Sequence, residues 1–137
     1  MLQGKNVLLT GAAGAGKTYC LNEFIKLAKE RGKYVSVTAS TGLAASHLNG
    51  MTIHSWAGIG TKAYSNEIKF ENFSEARKQV ILNTDILVID EISMLHDYRL
   101  DLVDYVCRVV RKNDTPFGGI QVVLCGDFSQ LPPVNRP

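Results

Sequence analysis

Short runs of apolar, often β-branched residues alternate along the chain with segments in which apolar residues recur at helical spacing. This alternation is typical of βαβ units built around a parallel sheet. Four runs are short and apolar enough to form strands buried on both faces: residues 6–9, 34–38, 86–89 and 121–125. The pattern predicts an α/β fold, with a parallel sheet flanked by helices.

Three helices are predicted between these strands. The first begins at Lys17 and stops before Gly32, a residue type that often follows a helix C-terminus. Asn72 followed by Glu75 predicts the cap of a second helix that runs to about residue 82, and Asp97 predicts the cap of a third. Residues 49–73 mix glycine and asparagine with isolated apolar residues, which indicates an irregular excursion whose length points to function.

Composition bounds the class of protein. The chain has 137 residues, 45% of them hydrophobic and 20% charged, which matches one soluble intracellular domain. A net charge of +2 without a block of like charges excludes a protein that coats polyanions, while local contact with nucleic acid stays open. The three cysteines lie far apart and form no Cys-x-x-Cys pair, which argues against a disulfide framework. No apolar run is long enough for a membrane span, so we expect no membrane partner.

Residues 11–18 fit the phosphate-loop pattern G-x-x-x-x-G-K-[ST], placed after a predicted strand and at the start of a predicted helix. Gly14, Ala15 and Gly16 let backbone N–H groups turn inward toward the β-phosphate of a nucleotide. Lys17 is expected to reach the β- and γ-phosphates, and the Thr18 hydroxyl to bind Mg²⁺. The pattern predicts ATP and Mg²⁺ as ligands; the alternative is a glycine-rich turn that binds nothing.

Two further groups of polar residues follow predicted strands. The strand at 86–89 ends in Asp90, which can hold Mg²⁺, and Glu91, which can orient and deprotonate an attacking water. Without the phosphate loop, the same acidic pair would equally well be a helix cap. After the last strand, Gln130 is placed to touch a γ-phosphate, and its alternative is a surface turn stiffened by prolines. We therefore expect Lys17, Glu91 and Gln130 to act in catalysis.

These motifs together resemble the first RecA-like domain of Pif1-like helicases, in the RecD branch of superfamily 1. The resemblance covers nearly the whole chain. It rests on residues 11–18 as motif I, 38–45 as motif Ia, 52–60 as motif Ib and 88–95 as motif II, with 116–121 and 126–134 leading through motif III. It implies 5′-to-3′ translocation on single-stranded DNA driven by ATP hydrolysis. The fold it implies is a P-loop NTPase sheet in the order 6–9, 121–125, 86–89, 34–38.

Motifs Ia and Ib line the single-strand track in this family, so the resemblance implies phosphate contacts at Ser40, Thr41, His54 and Ser55. Hydroxyl and N–H groups at the starts of helices and loops can grip a phosphate. Alternatives stay open for each motif. Ser40 and Thr41 also suit a helix N-cap, and His54 a buried imidazole. Trp56 is favoured as a core aromatic over a base-stacking platform.

The resemblance also sets the expected domain organisation. Residues 1–137 are interpreted as a single truncated RecA-like ATPase domain, whose partner is the second RecA-like domain of the same parent protein. Without the arginine finger of that second domain and the upstream adenine-recognition glutamine motif, we expect weak ATP binding, slow hydrolysis and no unwinding. The expected location is the cytoplasm in a bacterium, otherwise the nucleus or mitochondrion. The alternatives are a P-loop kinase, another P-loop ATPase that does not act on DNA, or a non-catalytic nucleotide-gated binding module.

Overall fold

The computed structural model describes residues 7–10, 17–60, 64–92, 95 and 97–126. Within this part of the chain, five parallel strands form one sheet: β1 (Val7–Thr10), β2 (Val35–Ala39), β3 (Met51–Thr52), β4 (Ile86–Asp90) and β5 (Gln121–Gly126). The helices are α1 (Lys17–Glu30), α2 (Gly42–His47), α3 (Ile53–Ala57), α4 (Glu75–Asn83) and α5 (Asp97–Arg111). Short 3₁₀ turns cover Ser65–Glu67, Phe70–Asn72 and Pro116–Gly119.

The strand order is β1-β5-β4-β2-β3, which confirms the α/β class and the predicted order of four strands. The predicted strand bounds agree with the observed ones to within one residue. A fifth strand, β3, was not predicted; it extends the sheet beyond β2, with Thr38 paired to Met51 and Ala39 to Thr52. The predicted excursion at 49–73 therefore contains an edge strand and the short helix α3 as well as irregular turns.

The sequence predicted the end of α1 correctly, but it placed the N-cap of α4 at the wrong residue. Gly32 follows α1 with a φ of 81°, and its N–H donates to the Lys29 carbonyl while the Lys33 N–H donates to the Ala28 carbonyl. These two bonds form a Schellman stop, as the glycine predicted. The predicted cap of α4 was wrong: the residue that caps this helix is Ser74, whose hydroxyl accepts from the Arg77 N–H at 3.1 Å. Asp97 lies in the first turn of α5.

Apolar side chains cover both faces of the sheet. On one face, α1 packs against alternate residues of β4 and β5 in a cluster formed by Leu21, Phe24, Ala28, Ile86, Val88, Val123 and Cys125. On the other face, α3, α4 and α5 form a larger cluster that includes Ile53, Trp56, Ile81, Leu87, Ile89, Val103, Val106 and Val122. Each fully buried Val, Leu, Ile or Phe side chain in these clusters contributes about 1.5–3 kcal/mol. Burial of β4 on both faces, as predicted, fixes the position of the polar residues that follow it.

No helix in the described ranges is both long and apolar enough to cross a bilayer.

Candidate functional site

Several of the predicted site residues lie at the carboxyl edge of the sheet, where all the parallel strands end. Thr10 at the end of β1 is paired with Gly126 at the end of β5, and β5 is paired in turn with β4. Lys17 and Thr18 occupy the first turn of α1, the helix that follows β1. The backbone therefore brings the N-terminus of α1 and the end of β4 to one edge, where ligands of open α/β sheets bind. The other predicted nucleotide residues, Gly14, Ala15, Gly16 and Gln130, lie outside the described residues.

Asp90 is the last residue of β4, and one of its carboxylate oxygens is buried. Its Oδ1 has no hydrogen-bond partner among the described residues. An unpaired buried oxygen of this kind is destabilising by roughly 1–3 kcal/mol or more unless a cation or water binds it. The described residues form no cluster of three or more His, Cys, Asp or Glu side chains. One buried carboxylate is enough for a Mg²⁺ ion that binds together with a nucleotide. Such an ion takes only one or two protein ligands, and phosphate oxygens and waters complete its coordination.

Glu91 follows β4 in an unusual backbone conformation. Its φ is 57°, in the left-handed region that side chains other than glycine and asparagine seldom adopt. Such a conformation is unfavourable by about 1–3 kcal/mol and persists where its surroundings hold it. Ser40 supplies two hydrogen bonds there: its N–H donates to the Asp90 carbonyl at 3.1 Å, and its hydroxyl donates to the Glu91 carbonyl at 2.6 Å.

Ser40, the residue after β2, ends a row of three alternating hydroxyl side chains whose first two members lie in the strand. The Ser36 hydroxyl pairs with that of Thr84 at 2.8 Å, and the Thr38 hydroxyl donates to the Val88 carbonyl at 2.6 Å. The spacing of two residues places Ser36 and Thr38 on the same face of β2, and Ser40 continues the alternation beyond the end of the strand. This row was not predicted from the sequence, although the alternation Ser-x-Thr-x-Ser at 36–40 indicates hydroxyl side chains on one side of the chain. In addition to the backbone ladder, these bonds join β2 and Ser40 to β4 and to the residues that flank it, Thr84 and Glu91.

Thr41, predicted to contact phosphate, caps α2. Its side chain accepts a hydrogen bond from the Ala44 N–H at 3.2 Å, so the alternative interpretation as an N-cap is confirmed for Thr41. The bond uses the hydroxyl oxygen as acceptor and leaves its hydrogen able to donate. Ser40 is not the cap; it is only 8% exposed, and its hydroxyl hydrogen is engaged by Glu91.

His54 and Ser55 lie in α3, which begins directly after the edge strand β3. Thr52 caps this helix by accepting from the Ser55 N–H at 3.3 Å, and its hydroxyl donates to the Ser55 hydroxyl at 3.1 Å. Ser55 is exposed, whereas His54 is partly buried. Burial, and to a lesser degree the positive charge of Arg99, lower the pKa of His54 below 6.5. The imidazole is therefore mainly neutral at pH 7 and offers one N–H donor.

Trp56, the next residue of α3, is 4% exposed and belongs to the apolar cluster beneath the sheet. Its position agrees with the favoured interpretation as a core aromatic. Its Nε1 has no hydrogen-bond partner among the described residues.

The candidate site therefore runs along a single edge in two adjoining parts. The phosphate-loop helix and the acidic pair follow β1 and β4, while Thr41 and His54 follow β2 and β3. The two parts meet where β2 lies beside β4, and the contact between Ser40 and Glu91 bridges them.

Comparison with known proteins gives a consistent result for the whole chain. A family model described as PIF1-like helicase matches residues 1–137. The ATP-dependent DNA helicase Pif1 of Psychrobacter sp. is 56% identical over 134 residues, which are 96% of this chain and 20% of that protein. The ATP-dependent DNA helicase PIF1 of Saccharomyces cerevisiae is 48% identical over 139 residues, 97% of this chain and 16% of that protein. The chain spans about a fifth or less of the length of these two relatives.

Solved structures agree with the sequence matches. The crystal structure of Bacteroides Pif1 bound to ssDNA superposes with a TM-score of 0.83 at 43% identity, covering 98% of this chain and 31% of that one. Bacteroides sp. Pif1 in complex with ADP-AlF4 gives a TM-score of 0.82 at 42% identity, over 97% of this chain and 30% of that one. The resemblance and the RecA-like fold expected from the motifs are confirmed, and the chain belongs to the PIF1-like helicase family.

Proposed function

We propose that this chain is the ATP-binding and hydrolysing motor domain of a 5′-to-3′ DNA helicase, and that it contacts single-stranded DNA through the residues that follow β2 and β3. The observation that carries the proposal is the single carboxyl edge on which Asp90 and Glu91 adjoin Ser40 and Thr41. A nucleotide site and a nucleic-acid site on adjacent strands suit an enzyme that couples ATP hydrolysis to movement along DNA. The solved structures of Bacteroides Pif1 with ADP-AlF4 and with ssDNA support the same assignment.

The substrate of the nucleotide part is ATP with its Mg²⁺. Lys17 neutralises charge on the β- and γ-phosphates, and the Thr18 hydroxyl and the Asp90 carboxylate hold the ion. The buried, unpartnered Oδ1 of Asp90 supports that role. Glu91 orients the attacking water and accepts its proton, and Gln130 senses the γ-phosphate. The phosphate-loop residues Gly14, Ala15 and Gly16 cradle the nucleotide with their N–H groups.

Single-stranded DNA is held mainly by neutral donors rather than by a basic patch. Thr41 at the start of α2, and His54 and Ser55 in α3, offer hydroxyl, imidazole and backbone N–H groups to phosphates. A net charge of +2 agrees with this mode of binding. Neutral donors release a phosphate more readily than lysine or arginine does, which suits a track along which the protein moves.

The chain acts as one RecA-like domain and needs the second RecA-like domain of its parent protein. An arginine finger supplied by such a partner is worth about 10³–10⁵ in rate in other phosphoryl-transfer enzymes. Residues 1–137 by themselves should bind ATP weakly, hydrolyse it slowly and fail to unwind DNA. The parent protein would work in the cytoplasm of a bacterium, or in the nucleus or mitochondrion of a eukaryote.

The test compares Glu91→Gln with Glu23→Gln, an exposed glutamate on α1, in the full-length helicase that carries this domain. Loss of a general base predicts a fall of about 10²-fold or more in DNA-stimulated ATP hydrolysis. Binding of a fluorescent ATP analogue should be retained, and Glu23→Gln should match the parent protein. Hydrolysis that survives Glu91→Gln, or that single-stranded DNA does not stimulate, would contradict the proposal. Transfer of phosphate to a small acceptor instead of water would favour a kinase.

A further inference from the structure

Ser40 holds both peptide units that flank the Cα of Glu91. Its backbone N–H donates to the carbonyl of Asp90, which precedes that Cα, at 3.1 Å. Its hydroxyl donates to the carbonyl of Glu91, which follows the Cα, at 2.6 Å. The residue directly after β2 therefore fixes the backbone on both sides of the residue directly after β4.

The two hydrogen bonds from Ser40 hold the peptide planes on either side of the Glu91 Cα, and together these planes define φ and ψ of Glu91. Glu91 adopts a φ of 57°, a conformation that the chain would leave without outside support. The direction of the Cα–Cβ bond follows from these angles, and so the carboxylate of Glu91 is aimed by the contacts of Ser40. A misplacement of a reacting group by about 1 Å can reduce a rate about 10²-fold.

Ser40 has little capacity left for a direct contact with DNA. A serine hydroxyl carries one donor hydrogen, and here it is given to the Glu91 carbonyl. The residue is 8% exposed, whereas Thr41 beside it is half-buried and caps α2. The two adjacent hydroxyls therefore have different surroundings.

We propose that Ser40 is a positioning residue for ATP hydrolysis, acting through the backbone of Glu91, and that its hydroxyl does not bind DNA phosphate. The proposal rests on the proposed role of Glu91 as the base. It predicts that removal of the hydroxyl slows the hydrolytic step while leaving the binding of both ligands intact.

The experiment compares Ser40→Ala with Ser36→Ala in the full-length helicase. Ser36 is a matched control, because it is 7% exposed, lies on the same face of β2, and loses a hydroxyl pair with Thr84 that does not involve Glu91. Ser40→Ala should lower kcat for DNA-stimulated ATP hydrolysis about 10-fold or more. Its KM for ATP and its Kd for a fluorescent oligothymidine should stay within about two-fold, and Ser36→Ala should keep its kcat within about three-fold.

Ser40→Cys keeps the test decisive if the alanine variant does not fold. Cysteine has nearly the volume of serine but a weak S–H donor, so this variant should also lose kcat. Thermal unfolding followed by circular dichroism checks that each variant is folded.

Three outcomes separate this inference from the proposed function. A normal kcat in folded Ser40→Ala, with Glu91→Gln inactive, overturns the positioning role alone. Weakened oligothymidine binding with normal kcat at saturating DNA also overturns it, in favour of phosphate contact. Full activity of Glu91→Gln refutes the proposed function itself. In support, Ser40→Ala added to Glu91→Gln should cause no further loss, because both act through the same carboxylate.

Discussion

The carboxylate of Asp104 accepts a hydrogen bond from the backbone N–H of Phe117, with 2.6 Å between the nitrogen and Oδ1. The same oxygen accepts from Nε of Arg108 at 2.9 Å. Phe117 lies in the turn Pro116–Gly119 with a φ of 52°, and β5 starts two residues after this turn. Asp104 on α5 therefore anchors the turn through which the chain enters the middle of the sheet.

Asp104→Ala should destabilise the fold by about 2–3 kcal/mol, because hydrogen bonds to charged groups are worth about 1.5–3 kcal/mol. Urea unfolding followed by circular dichroism measures the change. Asp101→Ala is the control, since Asp101 is exposed on the same helix, and it should change stability by less than about 0.5 kcal/mol. Equal effects of the two substitutions would show that the turn does not depend on Asp104.

Two glycines with positive φ should respond differently to alanine. Gly32 has a φ of 81° and open space where a Cβ would lie, so Gly32→Ala should destabilise by about 1–2 kcal/mol from backbone strain alone. Gly118 has a φ of 61°, and an added Cβ would come within 2.6 Å of the Cys107 carbonyl oxygen. Overpacking adds about 1–3 kcal/mol to the strain there. Similar urea midpoints for the two variants would mean that the turn moves away from α5 without penalty.

The sequence predicts much of this fold because parallel strands buried on both faces are continuous apolar runs. Ile86, Leu87, Val88 and Ile89 are all buried, and a run of four apolar residues, three of them β-branched, favours a strand over a helix by its length and composition. The edge strand β3 could not be predicted, because Met51–Thr52 has only two residues and is too short to show the alternation of apolar and polar residues typical of a strand. The cap of α4 is misplaced because Asn72 and Ser74 both satisfy the local rule. Only the preceding turn, Phe70–Asn72, decides between them.

The candidate site is predicted less completely than the fold. The acidic pair and the phosphate loop are recognisable because their chemistry demands particular residues at fixed spacing. Ser40 and Thr41, by contrast, are adjacent hydroxyls that the sequence treats alike. Their difference arises from tertiary contacts: the Ser40 hydroxyl donates to the Glu91 carbonyl, while the Thr41 hydroxyl caps α2. Only the position of the Glu91 carbonyl reveals this.

His54 should titrate below the usual range of histidine. Burial, followed by the charge of Arg99, lowers its pKa below 6.5. NMR titration of the imidazole signals measures this midpoint, and the signal that disappears in His54→Gln identifies the residue among the three histidines of the chain. Arg99→Gln removes the nearby charge and should raise the midpoint toward 6.5. An unchanged midpoint would leave burial as the sole cause.

The same shift predicts how stability depends on pH. Because the folded state disfavours protonated His54, the unfolded state binds more protons below pH 6.5. The contribution of His54 to stability is therefore fully present above pH 6.5 and is lost as the pH falls through the lowered pKa. His54→Gln should flatten the dependence of the urea midpoint on pH in this range. A steeper dependence in the variant would contradict the sign of the shift.

Thr41 should contact DNA phosphate as well as capping α2, and two substitutions separate these roles. Thr41→Asp keeps a good N-cap while placing a negative charge at the start of α2, so helix stability should be retained. That charge repels a DNA phosphate, and we expect Kd for oligothymidine to rise about 10-fold or more in the full-length helicase. Thr41→Ala removes the cap, so it should destabilise the fold by about 1 kcal/mol and weaken DNA binding less than Thr41→Asp does.

The comparison of these two variants decides the role of Thr41, because Thr41→Asp keeps the cap but repels a phosphate, whereas Thr41→Ala loses the cap without adding a charge. Fluorescence anisotropy measures Kd, and urea unfolding measures stability. Basal ATP hydrolysis without DNA should stay normal in both variants, since Glu91 is held by Ser40 rather than by Thr41. If Thr41→Asp binds oligothymidine as tightly as the parent protein does, no phosphate lies near the start of α2. Thr41 would then be a cap alone, and the DNA track would have to lie elsewhere on this edge of the sheet.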